Sequence, residues 1–167
     1  SVFPFDLFIF SFKQKPAYEL GVRLVGSEMG IRDRITACLL TRPRHNKIIK
    51  DLKDLNVKII YIDDGDVSGA LTVSSPISKV DIFLGIGGAP EGVLAASALD
   101  TFNCNFQGRF LFKSEEEKTR ANKMGIINFN KKYELREIVK GDSIFWATGI
   151  TTNDLVAGIK IENEGYI

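Results

Sequence analysis

Gly85-Ile86-Gly87-Gly88-Ala89-Pro90-Glu91-Gly92 is the stretch on which the reading of this chain turns. The run before it, Val80 to Leu84, is apolar and strand-like, and the run after it, Val93 to Phe102, is alanine-rich and helix-like. Open α/β sheets gather their ligands at such strand-to-helix turns. Pro90 suits the first helical turn, where its missing N–H is no loss, and Glu91 then sits beside that turn's unsatisfied N–H groups. The glycines permit positive φ and close approach of backbone N–H groups to an anion. The stretch therefore reads as a loop with a phosphate-sized concavity and a carboxylate at its rim. A tight turn that binds nothing is the competing reading. The dinucleotide pattern G-x-G-x-x-G fails because Pro90 stands where the third glycine belongs, and no G-x-x-x-x-G-K-[ST] occurs.

Outward from this stretch the chain alternates strand and helix. Ile35 to Leu40 reads as a strand. Ile48, Ile49, Leu52 and Leu55 recur at helical spacing among charged residues, which predicts an amphipathic helix with a solvated outer face. Lys58 to Ile62 is the next strand, followed by a short helix from Val67 to Val73. Ile82 to Leu84 is a buried strand, and a helix from Pro90 to Phe102 places Leu94, Ala98 and Phe102 on one face. Phe110 to Phe112 is strand-like. Ser114 with Glu117 makes a capping box, and Gly125 stops that helix. Ile144 to Ala147 and Val156 to Ile161 read as the last strands. The expected architecture is a layered α/β domain, one mixed sheet of five or six strands flanked by helices, with ligand-binding segments meeting where strands end.

Composition narrows the chemistry. The 167 residues suit one domain, and a formal charge of +1 argues against a nucleic-acid partner, although Arg42, Arg44, Lys47 and Lys50 can hold a small anion. Cys38 and Cys104 lack metal-ligand spacing and read as reduced thiols, the pattern of a cytoplasmic protein. His45 is the one imidazole, placed to cap or pack a helix, so histidine-based zinc sites and Ser-His-Asp triads are disfavoured and any metal should be a hard cation on oxygen ligands. Val2 to Phe12 is apolar and aromatic. It contains Asp6, lacks a basic leader and is shorter than the roughly 20 residues of a spanning helix, so neither a signal peptide nor a membrane span is expected.

Several residues admit a plain reading and a functional one. Arg42 and Arg44 flank Pro43 just past a strand, aimed at a phosphate or simply at solvent. Asp64, Gly65 and Asp66 are a turn with a helix cap, or carboxylates for sugar hydroxyls. Gly88 is a turn glycine or a point of close backbone approach. Glu91 is a helix N-terminal carboxylate or an oxygen ligand for a divalent ion. Thr148 and Thr151 belong to a polar turn that also offers hydroxyls.

Arg42-Pro43-Arg44-His45, Asp64-Gly65-Asp66-Val67, Gly85 to Gly92 and Ala147-Thr148-Gly149-Ile150-Thr151, with Gln107-Gly108-Arg109 and Arg120 to Ile126 between them, together resemble the second half of the class II fructose-1,6-bisphosphatases, the GlpX-like bacterial sugar phosphatases. The resemblance runs from residue 34 to 167 and implies the C-terminal domain of such a protein, with a sugar-phosphatase-like fold. Residues 1–33 do not match the family segment expected there and read as a variant extension, a reading artefact or a tail. The resemblance implies metal-dependent hydrolysis of the 1-phosphate of fructose 1,6-bisphosphate to fructose 6-phosphate and phosphate, in gluconeogenesis. Mn²⁺ or Mg²⁺ is the implied cofactor, with Glu91 as a ligand. Arg42, Pro43 and Arg44 would contact the sugar phosphate, Asp64, Gly65 and Asp66 the sugar, and the Gly88 backbone the substrate. It further implies a cytoplasmic enzyme that is a homo-oligomer at full length. The family's acidic motif Asp-Pro-(Ile/Leu)-Glu-Gly-Thr is not in this sequence. Two functions are therefore expected: part of a sugar bisphosphatase that is inactive alone, or a non-catalytic sugar-phosphate-binding module.

Overall fold

The computed structural model describes residues 5–12, 35–150, 152, 156–159, 161–162 and 165–166. Its centre is a mixed sheet of six strands in the order β3-β2-β4-β1-β5-β6. In chain order these are β1 (Asp6–Phe12), β2 (Thr36–Leu40), β3 (Lys58–Ile62), β4 (Ile82–Gly88), β5 (Asn105–Leu111) and β6 (Tyr133–Glu134). The helices are α1 (Asn46–Asp54), α2 (Asp66–Leu71), α3 (Ala89–Thr101), α4 (Glu115–Lys123) and α5 (Leu135–Ile138). This is the expected layered α/β fold.

Every residue of β2 is buried, as befits a short apolar strand covered on both faces, whereas β1 alternates. Leu7 and Ile9 of β1 join Cys38, Leu40, Phe83 and Phe106 on the face covered by Ala70 and Leu71 of α2 and Ala95, Ala96 and Leu99 of α3. On the other face Ala37, Leu39 and Leu84 pack with Leu52 of α1, supported by Ile48 and Ile49. Each fully buried side chain of this size stabilises the fold by about 1.5–3 kcal/mol relative to leaving it in water. Buried Ser11 of β1 donates its hydroxyl to the Ala70 carbonyl at 3.2 Å, so the polar atom carried inward by the strand's alternation is satisfied.

Strand β1 is the principal element absent from the sequence reading. It lies between β4 and β5, antiparallel to both, with Asp6 opposite Gly88 and Leu111. Phe5 anchors its start, packing edge-on against Phe110 and Phe112 with ring centroids 6.2 and 5.3 Å away. The run Val2 to Phe12 shows little polar alternation because both faces of β1 meet a core, Leu7 and Ile9 on one and the partly buried Phe8 and Phe10 on the other, which hides the period of a strand.

Other expectations are corrected. Residues 85–88 form the end of β4 rather than a loop, and Gly88 has φ −68° and ψ 150°, an extended conformation open to any residue. The buried stripe of α3 is Gly92, Ala95, Ala96, Ala98 and Leu99, while Leu94 and Phe102 are exposed. Small residues face inward because the helix lies close to the sheet: a Cβ at Gly92 would run into the Leu7 side chain. Strand β5 begins at Asn105, five residues before the expected Phe110. Residues 142–149 contain no strand. Ile144 and Trp146 are exposed, and Phe145 packs edge-on against Phe102 at 5.9 Å. Their β-forming composition has no neighbouring ladder to join. Residues 156–159 are likewise not a strand; β7 (Ile161–Glu162) and β8 (Gly165–Tyr166) form a separate two-stranded ladder. At the start of α4 the expected capping box is half formed, because Glu117 reaches the N–H of Lys113 rather than that of Ser114, while Gly125 stands past the helix end as expected. Ser114 Oγ accepts the Glu117 N–H at 3.2 Å, the Glu117 carboxylate accepts the Lys113 N–H at 2.6 Å, and Gly125 has φ 87°.

Candidate functional site

Strands β2, β3, β4 and β5 all run in the same direction, because β2 is parallel to β3 and β4 while β1 is antiparallel to both β4 and β5. Their carboxyl ends share one edge of the sheet. Three of the sequence blocks follow those ends: residues 42–45 after β2, residues 64–66 after β3, and residues 88–91 after β4.

The turn after β2 is built around proline. Arg42 is extended (φ −133°, ψ 144°), as a residue before proline prefers, and Pro43 opens a 3-10 turn through His45. His45 is fully buried. Its Nδ1 lies 2.8 Å from the Leu40 carbonyl, and its Nε2 accepts the Ile86 N–H at 2.9 Å, which places the ring proton on Nδ1. Arg44 Nε donates to the Ile86 carbonyl. The ladder between β2 and β4 has ended by then, at Cys38 and Phe83, so these two side chains take over the backbone groups of Ile86 that no strand pairs on that side. His45 thus bolts the arginine turn to the glycine-rich end of β4. The sequence reading gave His45 a packing or capping role, and its packing is what positions Arg44.

The arginines face the segment after β3. Arg42 Nη2 lies 3.2 Å from Asp64 Oδ1, and Arg44 Nη2 lies 3.8 Å from Asp66 Oδ1. The Asp64 side chain is 94% exposed and both arginines are partly exposed, so each pair is worth at most about 1 kcal/mol and readily exchanges an aspartate for another anion. Gly65 between the aspartates has φ 89°, and a Cβ there would run into Ser68 Oγ. This position needs glycine. Gly65 is also the N-cap of α2, with no side-chain cap hydrogen bond, so the aspartates are left facing the arginines.

Gly87 and Gly88 bring bare backbone into the same place. A Cβ at Gly87 would lie 3.5 Å from Asp66 Oδ1, and one at Gly88 would meet the carboxylate of Glu91, which folds back over it from the first turn of α3. The absence of side chains here lets the Asp66 and Glu91 carboxylates close in on the backbone of the β4 end. Pro90 stands in that first turn as expected. In the fourth block the Ile150 carbonyl accepts the Ile159 N–H at 3.2 Å and Gly149 is packed by Val156 and Ala157, while Thr151 is outside the described residues.

Asp6 of β1, opposite Gly88, adds a carboxylate to this edge and forms an ion pair with Lys113 after β5. Neither was on the list of site residues read from sequence, since only the insertion of β1 brings them there. Among the described residues no group of three or more His, Cys, Asp or Glu side chains is arranged to hold a metal ion. Glu91 offers one carboxylate, which does not by itself make a centre for Mn²⁺ or Mg²⁺.

Fold and site together define an α/β domain whose parallel strands end on paired arginines and aspartates beside a glycine-rich backbone. The family model described as bacterial fructose-1,6-bisphosphatase, glpX-encoded, matches residues 20–167. The class 2 fructose-1,6-bisphosphatase of Haemophilus influenzae is 36% identical over 156 residues, an alignment covering 84% of this chain and 46% of that protein. Fructose-1,6-bisphosphatase 1 class 2 of Escherichia coli K12 is 36% identical over 139 residues, covering 75% of this chain and 41% of the relative. The chain belongs to the glpX-encoded bacterial fructose-1,6-bisphosphatase family, and it spans less than half the length of the curated relatives it matches.

Proposed function

We propose that the protein containing this chain hydrolyses the 1-phosphate of fructose 1,6-bisphosphate to fructose 6-phosphate and phosphate, a gluconeogenic step. The observation that carries this reading is the meeting of Arg42 and Arg44 with Asp64, Asp66 and the bare Gly87–Gly88 backbone at one sheet edge, in a chain of this family. Arg42 and Arg44 give up their aspartate partners to a phosphate, whose oxygens accept charge-assisted hydrogen bonds from the guanidinium forks. Asp64 and Asp66, thereby released, accept hydrogen bonds from sugar hydroxyls. Pro43 and Gly65 hold the two turns in shape, and Gly88 lets the ligand reach the backbone.

Glu91 is proposed as one ligand of Mn²⁺ or Mg²⁺, in a centre whose remaining oxygen ligands lie outside the described residues. No helix among the described residues is long and apolar enough to cross a membrane, and a cytoplasmic homo-oligomer at full length is part of the same proposal. That Glu91 is not joined by two further ligands among the described residues favours a second reading, a sugar-phosphate-binding module without turnover.

The test is phosphate and fructose 6-phosphate release from fructose 1,6-bisphosphate with Mn²⁺, in a polypeptide of the relatives' full length that carries these residues. Arg44→Ala should weaken sugar-phosphate binding by about 1.5–3 kcal/mol, the worth of a charged hydrogen bond. Binding without hydrolysis supports the second reading. An Arg44→Ala variant with unchanged affinity and KM removes Arg44 from the site and sinks the phosphate cradle.

A further inference from the structure

Lys113 lies two residues past the end of β5, at the sheet edge that carries Arg42, Arg44 and Gly88. Its backbone N–H is held by the Glu117 carboxylate at 2.6 Å, and its ammonium pairs with Asp6 Oδ2. Asp6 stands directly between Gly88 of β4 and Leu111 of β5 in the ladder register. The Lys113 side chain is nevertheless 72% exposed, so its charge reaches solvent above the cleft. Asp6's hydrogen bond and charge hold the lysine above its ordinary pKa, while the Arg44 guanidinium acts in the opposite direction, which places the two cations within each other's field.

Spacing shows what such a pair of cations fits. Gly88 and Leu111 are two strand steps apart, about 10 Å at the usual separation of paired strands. The arginines follow β2, on one side of Gly88, and Lys113 follows β5, on the other, with its ammonium reaching back to Asp6 of β1. That separation suits a ligand with anionic groups at both ends rather than one phosphate held from all sides. An exposed ion pair is worth little, so Lys113 can turn from Asp6 to an arriving phosphate as the arginines turn from their own aspartates.

We propose that Lys113, positioned by Asp6, is a second anion-binding point of the strand-end cleft and takes the phosphate of a doubly phosphorylated sugar that Arg42 and Arg44 do not hold. This rests on the sugar-bisphosphate reading above and assigns the preference for a bisphosphate over a monophosphate to one side chain.

Calorimetric titration of a polypeptide of the relatives' full length that carries these residues, with fructose 1,6-bisphosphate, fructose 1-phosphate and fructose 6-phosphate, tests it. In Lys113→Gln the affinity for the bisphosphate should fall about tenfold, while the monophosphate that seats on the arginines binds as before and so also reports an intact fold. Lys113→Arg should retain most of the preference. Arg44→Ala should weaken the bisphosphate and that monophosphate alike. An unchanged bisphosphate preference in Lys113→Gln overturns the role of Lys113 and leaves the substrate reading standing, as does an equal loss for all three ligands, which marks a general charge effect. Failure of the unsubstituted full-length polypeptide to bind any of the three overturns both.

Discussion

At the scale of the residue, His45 shows how a buried polar side chain substitutes for a missing strand. Its ring spans from the Leu40 carbonyl to the Ile86 N–H, beyond the point where β2 and β4 cease to pair. His45→Phe keeps an aromatic ring in the space but leaves the part-buried Ile86 N–H without its acceptor, at a cost of about 1–3 kcal/mol. Urea unfolding should show that loss as a lower midpoint at unchanged slope, together with weaker anion binding because Arg44 is no longer held beside Ile86. A stability within about 0.5 kcal/mol of the unsubstituted protein, the range of an ordinary surface change, would contradict the bolt. Residue types at this level were legible in the sequence. That Arg42 meets Asp64 and Arg44 meets Asp66 was not, because the pairing depends on β2 and β3 lying side by side.

At the scale of the element, β1 carries the largest difference between expectation and structure. A strand between two antiparallel neighbours binds through both edges, and Ile9 on its inward face is 1% exposed in the main core. Ile9→Ala should therefore destabilise the protein by about 2–5 kcal/mol, the range for truncating a large buried aliphatic side chain. Chemical denaturation measures it, and a loss below about 1 kcal/mol would mean that the sheet closes without β1. The elements from β2 to α3 were largely readable, since short apolar runs, one amphipathic repeat and the Pro90 start signal fall in regular succession. The segment read as a strand at 144–147 had the composition without the ladder, and of the described residues in 156–161 only Ile161 is in a strand, paired with Tyr166. Strand propensity is mostly the fit of a side chain to neighbours, so composition cannot supply the neighbour.

At the scale of the whole molecule, the cleft is assembled from segments separated by up to about a hundred positions along the chain, from Asp6 to Lys113. The described residues hold no three-ligand group, which bears on how metal acts on this chain alone. Mn²⁺ should leave its thermal unfolding unchanged; a tight site filled at a hundred times its Kd would instead add about 2.7 kcal/mol. Differential scanning calorimetry with and without Mn²⁺ checks this, and a raised Tm that Glu91→Gln abolishes would place a working metal site on these residues. Sequence by itself determined the α/β class, the succession of elements from residue 35 to 102, the proline and glycine turns and the family, because these rest on local periodicity, backbone preference and residue identity at short range. Tertiary structure alone decided that β1 is central, that the glycine stretch is strand rather than loop, that three blocks meet, and that Asp6 and Lys113 join them. Those outcomes depend on which strands pair and in which register, and pairing between distant segments leaves no periodic trace in either one.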